Sequence, residues 1–206
     1  MTMVRIAMIR HGPTEWNDIR RIQGQTDIPL SARGRRLVST WSVPAEFDDF
    51  DWIVSPLQRA IETARILTST KIIPEPALKE MHWGQWQGQT IEDIRKLRPH
   101  QLNQNEARGI DFEPPGGESP RLVQRRLSRW FSDVRNRNRS VVAVTHKGVI
   151  RATYALATGW NMISDPAVEL NWCCAHVFQL DDNALPSLLH LNIPLSNYDW
   201  SMSSGI

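Results

Sequence analysis

Three short apolar runs constrain the fold of this chain more than anything else in it. "VRIAMI" (residues 4–9), "DWIVS" (51–55) and "SVVAVTH" (140–146) each read as a strand, and each stops abruptly at polar residues. The first runs into Arg10, His11, Gly12 and Pro13, the second into Ser55-Pro56, and the third ends in Thr145-His146. Helical patterns follow closely behind the second and third. Residues 56–68 place Leu57, Ala60, Ile61, Ala64 and Leu67 on one face, with Pro56 near the first turn. Residues 148–159 form a helix stopped by Gly159. Strands alternating with helices in this way build an α/β domain around a mostly parallel sheet.

The remaining segments fit that plan. Residues 30–41 predict a helix with Ser31 as N-cap, and residues 71–76 a short third strand. Residues 90–97 carry a capping-box pattern from Thr90 to Asp93. Residues 113–119 form a loop, after which Ser119-Pro120 opens a helix to about residue 135. Two late strands are expected at 171–180 and 187–193. With no linker or internal repeat, residues 1–206 read as one domain, a length that suits a single core.

Bulk properties remove several function classes. A net charge of +2 gives no strong field for nucleic acid or acidic membranes. The arginine-dense stretch 121–139 therefore reads as a solvated helix face. Cys173 and Cys174 are adjacent, lie in an apolar run and read as a reduced, buried pair. No metal-ligand spacing of the zinc type occurs, and the apolar N-terminal run is broken by Arg5. These features predict a cytoplasmic protein without a metal. The nine tryptophans are scattered, so most are expected in the core or in pocket walls.

In open α/β sheets, sites form beyond the carboxyl ends of the strands. If the three principal strands are neighbours, Arg10, His11, Arg59 and His146 converge there. Two guanidiniums suit the oxygens of a phosphoryl group. A neutral histidine can attack phosphorus and carry the group covalently. The Arg10–His11 adjacency then has a use, since a neighbouring cation disfavours imidazolium. The leaving oxygen needs a proton, and "LKEMHWGQWQG" (78–88) offers Glu80, with Glu75 and Glu92 as nearby competitors. A carboxyl beside bound phosphate is pushed toward its protonated form by like charge, and Trp83 and Trp86 are expected to strengthen this as aromatic walls. Taken alone, His11 would be an ordinary strand-end residue, as would His146, and Arg59 a helix-surface residue. His100, His176 and His190 read as structural or surface residues.

Several segments together resemble the histidine phosphatase superfamily, also called phosphoglycerate mutase-like. They are "RHGPTEWN" (10–17), "QGQTDIPLSARG" (23–34), "SPLQRAIETA" (55–64), "LKEMHWGQWQG", "PGGES" (115–119) and "VTHKGVIR" (144–151). The resemblance implies a three-layer α/β/α fold. It implies His11 as the phosphohistidine nucleophile, and Arg10, Arg59 and His146 as holders of the phosphoryl oxygens. Glu80 becomes the proton donor and later the base, while Asn17, Gln23 and Gly24 line the substrate pocket. No cofactor or metal is expected, because Arg and His supply the positive charge. About thirty residues separate Gly88 from Ser119, which is similar to the shorter phosphatase branch that includes α-ribazole and broad-specificity phosphatases.

The implied activity is that of a phosphoric monoester hydrolase of the histidine acid type. A cofactor-dependent phosphoglycerate mutase is the alternative, and a catalytically inactive phospho-ligand binding protein the alternative of another class. The expected partner is a small phosphorylated metabolite, with no nucleic acid and no membrane; a homodimer is left open. One departure is Lys147, where many members of the family carry Gly. Either Lys147 strains the turn, or it adds a cation at the pocket rim and favours a more anionic substrate. His82 fits either the mutase wording of the acid segment or a local packing role.

Overall fold

The apolar runs become strands because both of their faces are covered. The structure, a computed structural model, describes residues 3–195, so Trp200 lies outside the described residues. The elements in chain order are β1 (Val4–Arg10), the single turn α1 (Glu15–Asp18), α2 (Ala32–Val38), β2 (Asp51–Val54), α3 (Gln58–Leu67) and β3 (Ile72–Pro74). There follow α4 (Ile91–Leu97), α5 (Pro99–Glu106), α6 (Pro120–Arg137), β4 (Val141–Thr145), α7 (Lys147–Thr158), β5 (Cys174–Leu180) and β6 (Pro186–Pro194). The six strands form one sheet in the order β3-β2-β4-β1-β5-β6. The first four are mutually parallel, and β5 and β6 are added antiparallel at one edge.

The strand side chains divide by parity between two cores. Val4, Ile6 and Met8 of β1, with Val141 and Ala143 of β4, pack against Leu127, Phe131, Val149 and Ile150 of α6 and α7. Ala7, Ile9, Val142 and Val144 pack on the other face with Val38, Ala60 and Ala64 of α2 and α3. A strand with helices on both sides has no solvent face, so its period-two alternation separates two apolar layers rather than apolar from polar. Each fully buried Val or Ile contributes about 1.5–3 kcal/mol. The expected three-layer α/β/α architecture with a mostly parallel sheet is therefore the observed one.

The differences are local. The helix expected over residues 30–41 is shorter, though Ser31 caps it as predicted through its Oγ to the Gly34 N–H at 2.9 Å. Pro56 stands just outside α3, whose N-cap is Leu57. Two helices were not predicted. α1 is one turn closed by a capping box between Thr14 and Asn17. α5 begins with Pro99 and buries only Leu102 and Asn105, too weak a pattern to read as a helix. It joins Trp86 and Ile94 in a small third core that stands beside the sheet as one wall of a cleft.

Candidate active site

The parallel register brings the polar strand ends level. Arg10 pairs with Thr145, the His11 N–H donates to the Thr145 carbonyl at 2.9 Å, and the Ser55 N–H donates to the Val144 carbonyl at 2.9 Å. Arg10-His11, Ser55 and Thr145-His146 thus meet at one edge, beneath a cleft of about 790 Å³. The cleft is lined by Arg10, His11, Arg59 and Glu80, with Asn17, Gln23 and Gly24 on one side.

His11 is 5 % exposed. Its Nδ1 lies 2.6 Å from the Gly12 carbonyl, which can only accept, so Nδ1 carries the proton and Nε2 keeps its lone pair. Burial first, then the Arg10 and Arg59 guanidiniums, hold its pKa well below the ordinary imidazole value. The adjacency of Arg10 and His11 does what the sequence suggested, with burial as the larger cause.

Arg59 is fully buried on α3. It donates from Nη1 to the Thr26 carbonyl at 2.8 Å and from Nη2 to the Gly24 carbonyl at 2.7 Å. Desolvation pushes its pKa down to about 10. Gly24 holds a left-handed φ of +52°, and a Cβ there would collide with the Gln87 side chain, so this Arg59 acceptor requires glycine. The Arg10 guanidinium lies 5.5 Å from the Trp172 ring centre. Burial lowers its pKa as well.

His146 sits one layer deeper than predicted. It is fully buried and absent from the cleft lining, with its ring centre 5.1 Å from that of His11. Its Nε2 is 2.7 Å from Ser55 Oγ, and Nδ1 has no partner. Burial, then Arg59 and His11, holds it neutral far below the usual imidazole range. Four of the six buried side-chain polar atoms without a partner among the described residues belong to this site: Arg10 Nε, Gln23 Oε1, Arg59 Nε and His146 Nδ1. Buried polar atoms are rarely left unpaired, and their concentration here points to a polar ligand.

Glu80 is held at the start of α7. Oε1 accepts the Met81 N–H at 2.8 Å and Oε2 accepts the Gly148 N–H at 3.2 Å. A Cβ on Gly148 would collide with this carboxyl. The Glu80 backbone is tied from outside by Arg126, which donates to the carbonyls of Ala77, Lys79 and Glu80. Glu75 instead caps the turn at residues 76–78 through Ala77, and Glu92 pairs with Lys96 on the surface; of the carboxyls that line the cleft, Glu106 is paired with Arg95, which leaves Glu80 beside His11 and Arg10.

Asn17 lines the cleft as expected, with its Oδ1 occupied by the Thr14 N–H and hydroxyl and its amide N–H₂ left for a ligand. Other expectations need correction. Trp86 is wholly buried in the third core and is not a pocket wall, whereas Trp83 lines the cleft. Cys173 is only half-buried, although both thiols are free. His82 bonds locally to the Gly116 carbonyl at 3.1 Å. Lys147 opens α7 with ordinary helical geometry, so the strain reading falls, and its side chain lines the cleft. The sequence reading also overlooked Arg20, Arg21 and Arg151 in the lining. Arg151 stands one helical turn after Lys147, which is the spacing that could have revealed it.

Among the described residues no group of three His, Cys, Asp or Glu side chains is placed to hold a metal ion, and no helix is long and apolar enough to cross a membrane.

A parallel-sheet crevice that presents a neutral imidazole, two guanidiniums and a carboxyl defines a protein that handles phosphoryl groups. The pattern of the histidine phosphatase superfamily (branch 1) matches residues 6–194, and the chain belongs to that family. It is 32% identical over 168 residues to phosphoserine phosphatase 1 of Hydrogenobacter thermophilus, covering 78% of this chain and 79% of the relative. It is also 32% identical to glucosyl-3-phosphoglycerate phosphatase of Mycolicibacterium vanbaalenii, covering 77% of this chain and 76% of the relative. The α-ribazole phosphatase of Shigella flexneri shares the fold, with a TM-score of 0.78 at 23% identity over 95% of this chain and 100% of that one.

Proposed function

We propose that the protein is a metal-independent phosphomonoester hydrolase working through a phosphohistidine on His11. The observation that carries this reading is the His11 tautomer. With Nδ1–H donated to the Gly12 carbonyl, the Nε2 lone pair is free, and burial among cations keeps it unprotonated. Arg10 and Arg59 bind the non-bridging phosphoryl oxygens through guanidinium N–H groups. Ser55 Oγ accepts the Leu57 N–H and hydrogen-bonds His146 Nε2; in the tautomer in which the hydroxyl donates, His146 Nδ1–H is left for a further oxygen.

In the first step Nε2 of His11 forms the N–P bond while the P–O bond to the leaving group breaks. Protonated Glu80 gives its proton to that oxygen, and the alcohol departs. In the second step Glu80 takes a proton from water, the water oxygen attacks phosphorus, and the N–P electrons return to Nε2. The products are the alcohol and inorganic phosphate. The relatives named for phosphoserine and glucosyl-3-phosphoglycerate support a small phosphorylated metabolite as substrate. The free thiols of Cys173 and Cys174 support a cytoplasmic location.

The test is turnover of p-nitrophenyl phosphate and 3-phosphoglycerate in EDTA, with His11→Ala alongside. The expected result is phosphate release from wild type, an acid-labile phosphoenzyme on quenching, and a loss of about 10⁴-fold or more in His11→Ala. Full activity in His11→Ala overturns the mechanism. Isomerisation of 3-phosphoglycerate without phosphate release makes the protein a mutase. Binding without turnover of any phosphomonoester makes it a phospho-ligand binding protein.

A further inference from the structure

The cleft holds more positive charge than one phosphoryl group uses. Arg10 and Arg59 lie beside His11, yet Lys147 and Arg151 of α7 line the same cleft. At i and i+4 the two project from one face of the helix. Lys147 is exposed to the open cleft and Arg151 is half-buried. Among the described residues neither takes part in a salt bridge.

What holds them is aromatic. The Lys147 ammonium sits 5.2 Å from the Trp172 ring centre, and the Arg151 guanidinium 4.7 Å from that of Trp160. An aromatic face orients a cation and leaves its charge available, whereas a carboxylate would cancel it. Trp172 also carries the Arg10 guanidinium, so the Lys147 charge and the phosphoryl-binding Arg10 share one ring. Partial desolvation by the cleft walls, and then Arg10 and Arg151, push the Lys147 pKa down, while Glu80 opposes them. Cations gathered in this way repel one another until an anion joins them.

We propose that Lys147 and Arg151 form a second anion subsite, and that the substrate is a phosphomonoester carrying a further anionic group, a carboxylate or a second phosphate. The inference rests on the phosphatase reading for the placement of the first phosphoryl group. Trp83 and Phe112, which meet edge to face at 5.4 Å, wall the same cleft and cover the apolar part of such a molecule.

The test compares two substrates of nearly equal shape, 3-phosphoglycerate and glycerol 3-phosphate, which differ by a carboxylate in place of a hydroxymethyl group. Fructose 1,6-bisphosphate against fructose 6-phosphate tests a second phosphate as the anion. Selectivity is the ratio of kcat/KM within each pair. Wild type is expected to prefer the more anionic member of one pair by about tenfold or more, the worth of one charge-assisted contact. Lys147→Gln and Arg151→Gln are each expected to lower that ratio severalfold, and the double variant to bring it near one. Lys147→Arg should retain the preference, and the exposed control Lys71→Gln should leave the ratio unchanged.

A wild-type ratio near one for both pairs overturns the inference. So does a high ratio that survives in the double variant and collapses in Arg20→Gln or Arg21→Gln. If no phosphomonoester is turned over, the phosphatase reading fails, and the subsite is then judged by tryptophan-fluorescence titration with 3-phosphoglycerate and glycerol 3-phosphate. Tighter binding of 3-phosphoglycerate that is lost in the double variant sustains it, and equal binding ends it.

Discussion

The arginines of this protein fall into two regions with opposite treatment of charge. Around α6 four of them are paired with carboxylates: Arg121 with Asp111, Arg126 with Glu118, Arg135 with Asp182, and Arg139, just beyond the helix, with Asp51. In the cleft, Arg10 and Arg59 are held by an aromatic ring and by backbone carbonyls, and neither is in a salt bridge with a described residue. A carboxylate partner spends the charge on the fold. A carbonyl or a ring fixes the guanidinium in place and leaves the charge for a ligand. The difference separates arginines that tie the fold together from arginines that act on a substrate.

The largest expected effect follows from the cleft pair. Arg10→Gln and Arg59→Gln should each lower kcat/KM for p-nitrophenyl phosphate about 10²–10³-fold, as removal of a preorganised donor does. Arg59→Lys should fail to restore it, because an ammonium cannot reach two carbonyls and a phosphoryl oxygen in one plane. Circular dichroism on the same samples separates lost chemistry from lost fold. Activity within threefold of wild type in Arg10→Gln would erase the contrast between the two regions.

The histidines repeat the contrast and give the next effect. His11 and His146 are kept neutral by burial assisted by cations, whereas His176, fully buried on β5, is pushed down to about 4 by burial alone, against a bond to Asn171. The unfolded chain takes up a proton at each histidine near pH 6.5, and the folded chain does so only at lower pH. Stability is therefore complete above about pH 6.5 and is lost as pH falls toward 4. His176 alone accounts for about 3 kcal/mol of that loss. Urea titrations at pH 7 and pH 4 should show a fall smaller by that amount in His176→Gln. An equal fall in both proteins removes His176 as an acid-labile point.

Arg126 crosses the boundary between the regions. It is paired like a surface arginine, yet it binds the carbonyls of Lys79 and Glu80 and so holds the segment that delivers the carboxyl. Arg126→Ala should cost about 2 kcal/mol of stability, the scale of hydrogen bonds from a charged group. It should also reduce kcat/KM about tenfold through misplacement of Glu80, with KM for a small substrate changing less than kcat. A loss of stability without any change in kcat would make Arg126 a tether of the fold only.

The role of Arg126 was invisible in the sequence, and the reason is physical. Its partners lie almost fifty positions away, and nothing in a local pattern reports such a pairing. What was legible was local: strand ends, the Ser31 and Ser119 caps, and the short motifs carrying Arg10-His11, Arg59, Glu80 and His146. The register of β1, β2 and β4 then brought these together, as their shared apolar character required. Helix α5 escaped notice because its order derives from Leu102 and Asn105 packing into a distant core. Trp83 and Trp86 are three positions apart and identical in composition terms, yet one walls the cleft and the other is wholly buried against Ile94 and Leu102, with a left-handed turn at Gly84 between them.

The smallest effect is expected from the ion pair with the best geometry. Arg121 donates from Nε and Nη2 to the two oxygens of Asp111 at 2.6 and 2.9 Å, a two-point match. Both side chains are about half-exposed, at 47% and 45%, so water screens the charges and holding them costs side-chain entropy. Arg121→Gln should shift Tm by less than about 2 °C, a shift that shrinks further in 1 M salt, where the screening length is about 3 Å. Good geometry thus predicts little where solvent competes, and the poorer contacts of Arg10 predict much where it does not. Asp111 adjoins Phe112 of the cleft wall, which gives the comparison its last point of failure. If Arg121→Gln leaves Tm alone but alters selectivity between 3-phosphoglycerate and glycerol 3-phosphate, the surface pair is shaping the cleft, and the boundary between the two kinds of arginine lies further inward than α6.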